Sequence, residues 1–316
     1  MKILVTGATG FIGSALIRHL THVQGFSVVG LVRSIKDITN NDACEFRLGE
    51  LGSSNTKNIN LSDIEVIIHT AGRAHIMNDS SAHPIDEFRR VNTYGTLDLA
   101  RLAAEAGVKR FIFLSSIKVN GQSTELDTPF SINSLEAPCD AYGLSKHEAE
   151  IGLRKISYKT GLEVTVIRPP LVYGPGVKGN FGTLIKILSV HVPLPLASVK
   201  NNRRSMVGLD NLLSMIMVCI QHPKAANQSF LISDKTDLST YSLLRLLGAS
   251  IGKPAILFRF PVSILTLISK SLSMEAKVQR ITGTLQVDIS HTCAELDWEP
   301  PFTVEQGLER LNEDVK

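Results

Sequence analysis

Three residues in the middle of the chain have the types and spacing that acid–base chemistry requires. Tyr142 and Lys146 are four positions apart, so they share one face of a predicted helix. A free phenol has a pKa of about 10, and a neighbouring ammonium favours the phenolate and lowers that pKa. We therefore expect Tyr142 to exchange a proton with a substrate hydroxyl or carbonyl, and Ser116 to donate a hydrogen bond to the same oxygen. The alternative is a core tyrosine beside a surface lysine.

A glycine-spaced turn at residues 7–13, with the sequence GATGFIG, could hold the phosphates of a dinucleotide. It follows an apolar strand predicted at 2–6 and precedes apolar residues at helical spacing over 14–20. Glycines in such a turn permit a tight bend, a close backbone approach to the pyrophosphate, and close packing of helix and strand. The alternative is a plain strand-to-helix turn. The residues predicted to contact the cofactor here are Gly7, Thr9, Gly10, Phe11, Ile12 and Gly13.

The end of the second predicted strand bears on the choice of cofactor. A carboxylate there would bind the adenosine ribose hydroxyls and select NAD, but Val32 is followed by Arg33. An arginine can pair with a 2′-phosphate, so NADP(H) is favoured, with NAD(H) as the alternative. Arg33 could instead stack on the adenine or point into solvent. Glu50 and Leu51, after a third predicted strand, could flank the adenine.

Strand and helix patterns alternate through the first half of the chain. Continuous apolar runs, typical of parallel strands covered on both faces, occur at 2–6, 26–32, 65–69, 110–115 and 162–168. With a helix predicted over 88–106, this alternation predicts an α/β fold: a Rossmann-type doubly wound parallel sheet with a smaller mixed α/β substrate lobe. We expect the dinucleotide-binding domain over 1–168, with a returning segment at about 205–235. The substrate lobe would take 169–204 and 236–316.

Composition excludes several classes of protein. The net charge of +3 over 316 residues, without a basic run and interleaved aromatics, argues against nucleic-acid binding. Four scattered cysteines argue against a metal site or a disulfide scaffold and favour a reducing compartment. No apolar run reaches the roughly 20 residues that span a bilayer, and a strand begins too early to leave room for a signal peptide. We therefore expect a cytoplasmic protein.

The order of these motifs resembles the extended short-chain dehydrogenase/reductase family, in its NAD-dependent epimerase/dehydratase branch, along nearly the whole chain. The segments that carry the resemblance are VTGATGFIG (5–13), IHTAG (68–72), VNTYGT (91–96), FLSSIKVNG (113–121), YGLSK (142–146), YGPG (173–176) and DISHTCAELDWEP (288–300). The resemblance implies a nicotinamide enzyme in which Ser116, rather than Ser115, acts with Tyr142 and Lys146. Lys146 would also bind the nicotinamide ribose. It further implies a homodimer, because family members often dimerise through a four-helix interface.

The resemblance assigns further residues to the site. It implies that Ala71, Gly72, Asn92 and Pro169 line the cofactor, with Asn92 also supporting the active site. At the start of the segment RSMVGLD, Arg204 would grip a nucleotide diphosphate. An arginine suits that role because its planar fork binds phosphate oxygens bidentately.

Within the family, the likeness is to the UDP-sugar epimerase and 4-ketoreductase group of bacterial polysaccharide pathways, through residues 71–79, 115–121 and 168–181. It implies hydride transfer at C4 of a UDP-hexose or UDP-N-acetylhexosamine. Lys118 follows Ile117 where dehydratases carry Asp-Glu, which argues against dehydration. Leu171 replaces an asparagine of typical 4-epimerases, so with Arg33 it favours ketoreduction slightly over epimerisation.

Polar residues beside these motifs could contact the substrate. Arg73, His75 and Lys118 could bind the sugar or the diphosphate, and a solvated or structural role is the alternative for each. Asn180, in a predicted loop after the YGPG segment, is a candidate for the diphosphate. His69 ends a strand, and we expect a hydrogen-bonded core residue rather than a base.

The segment 261–274 carries Ile264, Leu265, Ile268 and Leu272 at helical spacing. Packing of this helix inside the substrate lobe is favoured, and contact with a membrane surface is the alternative. Two rival functions stay open at this stage. One is an NADPH-dependent reductase of a non-nucleotide ketone, and the other is a non-catalytic regulator that senses NADP(H).

Overall fold

The computed structural model describes residues 1–34, 36, 44–53, 56, 58–74, 84–271 and 275–312. Its strands are β1 (Lys2–Thr6), β2 (Ser27–Val32), β3 (Glu45–Leu48), β4 (Val66–His69), β5 (Arg110–Leu114), β6 (Glu163–Arg168), β7 (Leu171–Tyr173), β8 (Met206–Gly208) and β9 (Ser229–Leu231). Seven form one parallel sheet in the order β3-β2-β1-β4-β5-β6-β9, and β7 pairs with β8 in parallel. This order confirms the predicted Rossmann-type sheet. It reverses between β1 and β4, where such sheets leave a crevice for a ligand.

Unbroken apolar sequences form the central strands because both faces of the sheet are covered. In β1, Ile3 and Val5 belong to an apolar cluster on one face, whereas Leu4 belongs to the cluster on the other face. All three side chains are fully buried. Since successive side chains of a strand point to opposite faces, one apolar run contributes to two cores.

Helices supply the other half of each core. They are α1 (Phe11–Leu20), α2 (Pro84–Phe88), α3 (Gly95–Glu105), α4 (Ala141–Thr160), α5 (Gly179–Ser189), α6 (Leu209–Gln221), α7 (Thr240–Ser250), α8 (Val262–Ser271), α9 (Glu275–Thr282), α10 (Ser290–Leu296) and α11 (Val304–Glu309). Residues of α1 and α6 join the first cluster, and residues of α3 and α4 join the second. A third cluster, around Tyr173 and Phe181, unites β7, β8, α5, α7 and α11. None of the helices in the described residues has the length and apolarity that crossing a membrane requires.

The helix predicted over 88–106 is confirmed as helical from Phe88 to Glu105, but its first turns form a π-helical segment, Arg89–Tyr94, between α2 and α3. Such wide turns are frequent at functional sites. Within this segment, the Asn92 amide donates to the Ser145 hydroxyl at 3.0 Å, and the Thr93 hydroxyl donates to the Ser145 carbonyl at 2.8 Å. These bonds tie the segment to α4. They join residues far apart in the chain, so helical spacing could not reveal them.

The prediction that α8 packs through Ile264, Leu265 and Ile268 holds for Leu265 alone. Val262 and Leu265 contact the third apolar cluster, three positions apart on the inner face of the helix. Ile264 and Ile268 are exposed on a different face. Leu272, which completed the predicted stripe, lies outside the described residues.

Candidate active site

The start of α4 places Tyr142 in the first turn of the helix. Asp140 caps that turn, because its side chain accepts a hydrogen bond at 2.7 Å from a backbone amide. Lys146 follows one turn later on the same face. Ser116 caps a short 3-10 turn (Ile117–Val119), and its side chain acts on the Tyr142 hydroxyl, lowering the pKa of that phenol against the larger effect of burial. The structure therefore brings two of the predicted catalytic side chains together and aligns the third with them.

The predicted lowering of the Tyr142 pKa is wrong for this structure. Burial raises the pKa of Tyr142 to about 12, and the nearby carboxylate of Asp140 acts in the same direction. Burial also lowers the pKa of Lys146 to about 7. Both shifts arise because a buried charge loses its hydration. At neutral pH the phenol is therefore protonated, and the amine is close to its titration midpoint.

Lys146 is buried and reaches the crevice end of the sheet. Its Nζ donates to the Leu114 carbonyl at 2.9 Å, at the carboxyl end of β5, and lies 4.5 Å from the centre of the Phe113 ring. A Cβ added to Gly72, just after β4, would stand 3.3 Å from Nζ. The lysine thus lies where parallel sheets of this kind bind dinucleotides.

Asn92 holds the strand end opposite Lys146. Its Oδ1 accepts a hydrogen bond from the Arg73 amide at 2.8 Å, and its Nδ2 donates to the Arg73 carbonyl at 3.1 Å. The Ser145 hydroxyl, which receives the second Nδ2 hydrogen, donates to the Tyr142 carbonyl at 2.8 Å. Because Asn92 is fully buried, these bonds form away from water. Asn92 therefore connects the end of β4 to the helix that carries the tyrosine.

The glycine turn has the shape that a dinucleotide phosphate requires. Gly7 adopts φ +66°, and a Cβ added to Gly13 would stand 2.1 Å from the Gly7 carbonyl oxygen. The Gly10 amide donates to that oxygen at 2.8 Å, and no side chain caps α1 after it. Thr9 is exposed in the turn, while Phe11 and Ile12 begin the helix. The free amides at this helix start fit the pyrophosphate of NAD(P).

The other residues predicted to contact the cofactor follow the carboxyl ends of sheet strands. Arg33 is exposed directly after β2, and no carboxylate stands there. Glu50 is exposed and Leu51 is buried after β3. The Ala71 amide donates to the Thr6 hydroxyl at 3.1 Å, and the carbonyl of Pro169 accepts from the amide that follows Ser116 at 3.0 Å. Their contacts with a cofactor stay predictions.

Two of the predicted substrate residues make contacts inside the protein. The Arg73 guanidinium lies 5.8 Å from the centre of the Phe88 ring. Lys118 forms an ion pair with Asp140, and its Nζ lies 5.7 Å from the centre of the Tyr142 ring. Asp140 was missed by the sequence analysis, although an aspartate just before a helix is a recognised capping signal. A charged pair therefore flanks the tyrosine that is predicted to be catalytic.

The remaining substrate candidates lie in the second half of the chain, except His75, which falls outside the described residues. Asn180 is the second residue of α5, not part of a loop as predicted. Arg204 donates from Nη1 to a backbone carbonyl at 3.3 Å. Burial lowers its pKa, and the charge of Arg280 lowers it further. Two guanidinium groups thus stand close enough to repel each other.

Arg280 is a site candidate that the sequence analysis missed. It lies in α9, exposed, and no ion pair involves it or Arg204 among the residues that the structure describes. Two arginines whose charges act on each other, with no ion pair to a carboxylate in the described part of the chain, favour an anion bound near both. The separation of 76 positions left no sequence signal for this pairing.

His69 is confirmed as a hydrogen-bonded core residue. Its Nδ1 lies 2.7 Å from the Thr6 hydroxyl, and its Nε2 lies 2.8 Å from the Thr96 hydroxyl. Burial, with a contribution from Lys146, lowers the pKa of its imidazole to about 3. The ring is therefore neutral at neutral pH and links β4 to β1 and α3.

The amino-acid sequence of this chain is similar to those of known proteins. The sequence pattern described as the NAD dependent epimerase/dehydratase family matches residues 3–233. A protein of Vibrio cholerae named UDP-glucose 4-epimerase is 44% identical over 309 residues, which is 98% of this chain and 94% of that protein. A protein of Escherichia coli O157:H7 named N-acetyl-alpha-D-glucosaminyl-diphospho-ditrans,octacis-undecaprenol 4-epimerase is 25% identical over 98% of this chain and 93% of its own length.

Solved structures share the fold at lower identity. UDP-glucuronic acid 4-epimerase of Bacillus cereus, in complex with NAD, superposes with a TM-score of 0.79 at 22% identity and covers 100% of this chain and 98% of its own. UDP-glucose 4-epimerase of Thermotoga maritima, solved with UDP-glucose, gives 0.80 at 22% identity, with the same coverage of 100% and 98%.

Proposed function

This chain is an enzyme that belongs to the NAD dependent epimerase/dehydratase family, and we propose that it is a UDP-sugar 4-epimerase. It would invert C4 of a UDP-hexose or UDP-N-acetylhexosamine destined for a surface polysaccharide. The observation that carries the proposal is the placement of Tyr142 beside Ser116 and one helical turn from the buried Lys146. The 44% identity to a named UDP-glucose 4-epimerase over nearly the whole of both chains supports it.

The side chains of the site divide the proton chemistry among them. NAD, held at the glycine turn of residues 7–13, would supply reversible hydride acceptance at C4 of the sugar. Tyr142 accepts the C4 hydroxyl proton and gives it back, while Ser116 donates a hydrogen bond to the same oxygen. Because burial favours the neutral phenol, the phenolate needs a positive charge nearby, and Lys146 is the side chain placed to supply it.

Arg204 and Arg280 would hold the diphosphate. A diphosphate between them would replace the repulsion of two cations by charge-assisted hydrogen bonds, and the partial burial of Arg204 strengthens them. Binding energy from this remote group positions C4 at Tyr142 without taking part in the reaction. Arg73 and Lys118 lie nearer the tyrosine and are assigned to the sugar side, and Asn180 to the diphosphate.

Two observations favour a second candidate, an NADPH-dependent 4-ketoreductase. Arg33 is exposed at the end of β2, and the preceding residue, where a carboxylate would select NAD, is Val32. Leu171, in β7, stands in place of the asparagine expected of a 4-epimerase. Ketoreduction needs only the second half of the epimerase cycle and the same three catalytic residues. The preference for NADP(H) stays a prediction.

The cofactor that accompanies the purified protein separates these candidates. Undialysed enzyme is denatured, the released nucleotide is identified by mass spectrometry, and UDP-glucose and UDP-N-acetylglucosamine are incubated with enzyme alone and followed by NMR. We expect near-stoichiometric NAD and conversion to the C4 epimer without added cofactor. An empty site, tighter binding of NADPH than NADH, and no epimerisation would instead establish the reductase.

A variant of Arg33 tests the cofactor argument by itself. In Arg33→Asp, the new carboxylate should weaken NADP(H) binding about tenfold or more relative to NAD(H). An unchanged preference would mean that Arg33 does not contact the adenosine. The homodimer, the cytoplasmic location and the division of the chain at residue 168 are further parts of this proposal that stay predictions.

A further inference from the structure

The outer face of α8 exposes apolar side chains that the fold does not use. Ile264, Leu267 and Ile268 are 43%, 66% and 45% exposed, and they lie at i, i+3 and i+4 on one face. We call these three residues the α8 surface. The inner face of the same helix is already packed through Val262 and Leu265. The exposed residues are therefore additional to the core.

Further exposed apolar residues precede and follow the α8 surface in the chain. Ile256 and Phe258 are 47% and 46% exposed, and Ile281, at the end of α9, is 37% exposed. The backbone groups of Ile256 and Phe258 hydrogen-bond Leu194, so this piece of chain is extended. Alternate side chains of an extended chain point to opposite sides, which exposes Ile256 and Phe258 together. Exposed large apolar residues are thus concentrated in one segment of the described chain, which marks an interaction surface.

The same segment carries an excess of positive charge. Residues 253–281 contain five basic residues and one acidic residue, whereas the whole chain has a net charge of +3. Lys253, Arg259, Lys270 and Arg280 are all exposed. Apolar side chains on a short helix, with basic residues around them, are the features of a helix that lies in the interface of an anionic bilayer.

We propose that the α8 surface docks the enzyme reversibly on a membrane that contains anionic lipid. The apolar residues would enter the boundary between headgroups and acyl chains, and Arg259 and Lys270 would contact the lipid phosphates. Charge favours a membrane over a second copy of this chain. A two-fold interface would place this basic segment against itself, and like charges in contact destabilise association.

Docking would also bring the anion site to the bilayer. Arg280 lies in α9, which packs against α8, and its charge acts on Arg204. A sugar diphosphate bound between these arginines would stand beside the lipid surface. The inference about docking does not depend on which sugar diphosphate the enzyme uses.

Vesicle flotation with the full chain tests the proposal. Vesicles of phosphatidylcholine alone are compared with vesicles that also contain phosphatidylglycerol, at low and high salt. We expect the protein to float with the anionic vesicles at low salt, with binding weakened by salt and absent on the neutral vesicles. Equal binding to both vesicle types, or to neither, would overturn the proposal.

Two pairs of variants separate the contributions of the apolar face and of the charge. The triple variant I264Q/L267Q/I268Q should lower vesicle binding about tenfold or more, and R259E/K270E should do the same. Their matched controls on α4 are I151Q/Y158Q and K155E/K159E, which change exposed residues of the same types. The controls should bind as the parent does.

Light scattering tests the alternative, in which the α8 surface forms a dimer interface. Loss of a dimer in the triple variant, with unchanged vesicle binding, would assign the surface to a second copy of the chain instead.

Discussion

The residues around Tyr142 and those around Arg204 would meet opposite ends of one substrate, but the protein holds them in different ways. The Tyr142 carbonyl is hydrogen-bonded to Ser145, and Lys146 to the end of β5, inside a network that Asn92 ties to the sheet. Near Arg204, the second guanidinium belongs to the exposed Arg280. We call the first region the catalytic wall and the second the phosphate end.

The contrast shows what each region has to achieve. Proton transfer requires donor and acceptor to be placed to within a fraction of an ångström, so Ser116, Lys146 and Asn92 are buried and the hydrogen bonds that position them are made in advance. A diphosphate can be bound by flexible cations, since their attraction depends weakly on exact geometry. We therefore expect substitutions in the wall to lower kcat and substitutions at the phosphate end to raise KM.

The largest effect is expected in Tyr142→Phe. Removing the hydroxyl removes the proton acceptor, so kcat should fall about 10²- to 10⁴-fold, while KM and UDP affinity change little. Steady-state kinetics and calorimetric titration with UDP measure the two quantities. Tyr158→Phe, which changes an exposed tyrosine on the same helix, is the matched control and should behave as the parent. A Tyr142→Phe enzyme with a raised KM and an intact kcat would abolish the distinction between wall and phosphate end.

Much of the catalytic wall could be predicted from the sequence because its signals are local. A glycine turn between a strand and a helix, and a tyrosine and lysine four positions apart, each carry their own geometry. The seven-stranded sheet follows likewise from continuous apolar runs. The π-helical segment around Asn92 could not be predicted, because its cause is hydrogen bonding to α4 more than 50 positions away.

The phosphate end was predicted less well for a related reason. Arg204 belongs to a recognisable segment, but Arg280 reaches it only through the packing of α9, which no spacing in the chain encodes. The stripe predicted for α8 failed because hydrophobic periodicity shows that a helix has an apolar face and not which neighbour covers it. The predicted direction of the Tyr142 pKa shift was wrong because the sequence showed the nearby cation but not the burial of the phenol.

A smaller effect is expected at the phosphate end. Arg204→Met and Arg280→Met should each raise KM and the Kd for UDP about 10- to 100-fold, since each removes a charge-assisted bond, with kcat nearly unchanged. In the proposed site the two cations share one anion, so their effects should be coupled, and the double variant should lose less than the sum of the two free energies. Arg245→Met, an exposed arginine of α7, is the control. Additive losses, or a fall in kcat alone, would show that the two arginines do not bind one diphosphate.

The smallest effect concerns the free energy of unfolding, and it tests whether the catalytic wall excludes water from Lys146. The pKa of Lys146 falls from 10.5 to about 7 on folding, so between these values the unfolded chain binds a proton that the folded chain does not. This contribution to stability is fully present above pH 10.5 and is lost as the pH falls through about 7. Relative to Lys146→Met, the parent should therefore gain about 1 kcal/mol of unfolding free energy per pH unit between pH 7 and 10.

Urea unfolding of both proteins across that range measures the difference, with Lys159→Met, at an exposed position, as the control. Parallel pH profiles for the parent and Lys146→Met would mean that water reaches Lys146, and the catalytic wall would then be as open as the phosphate end.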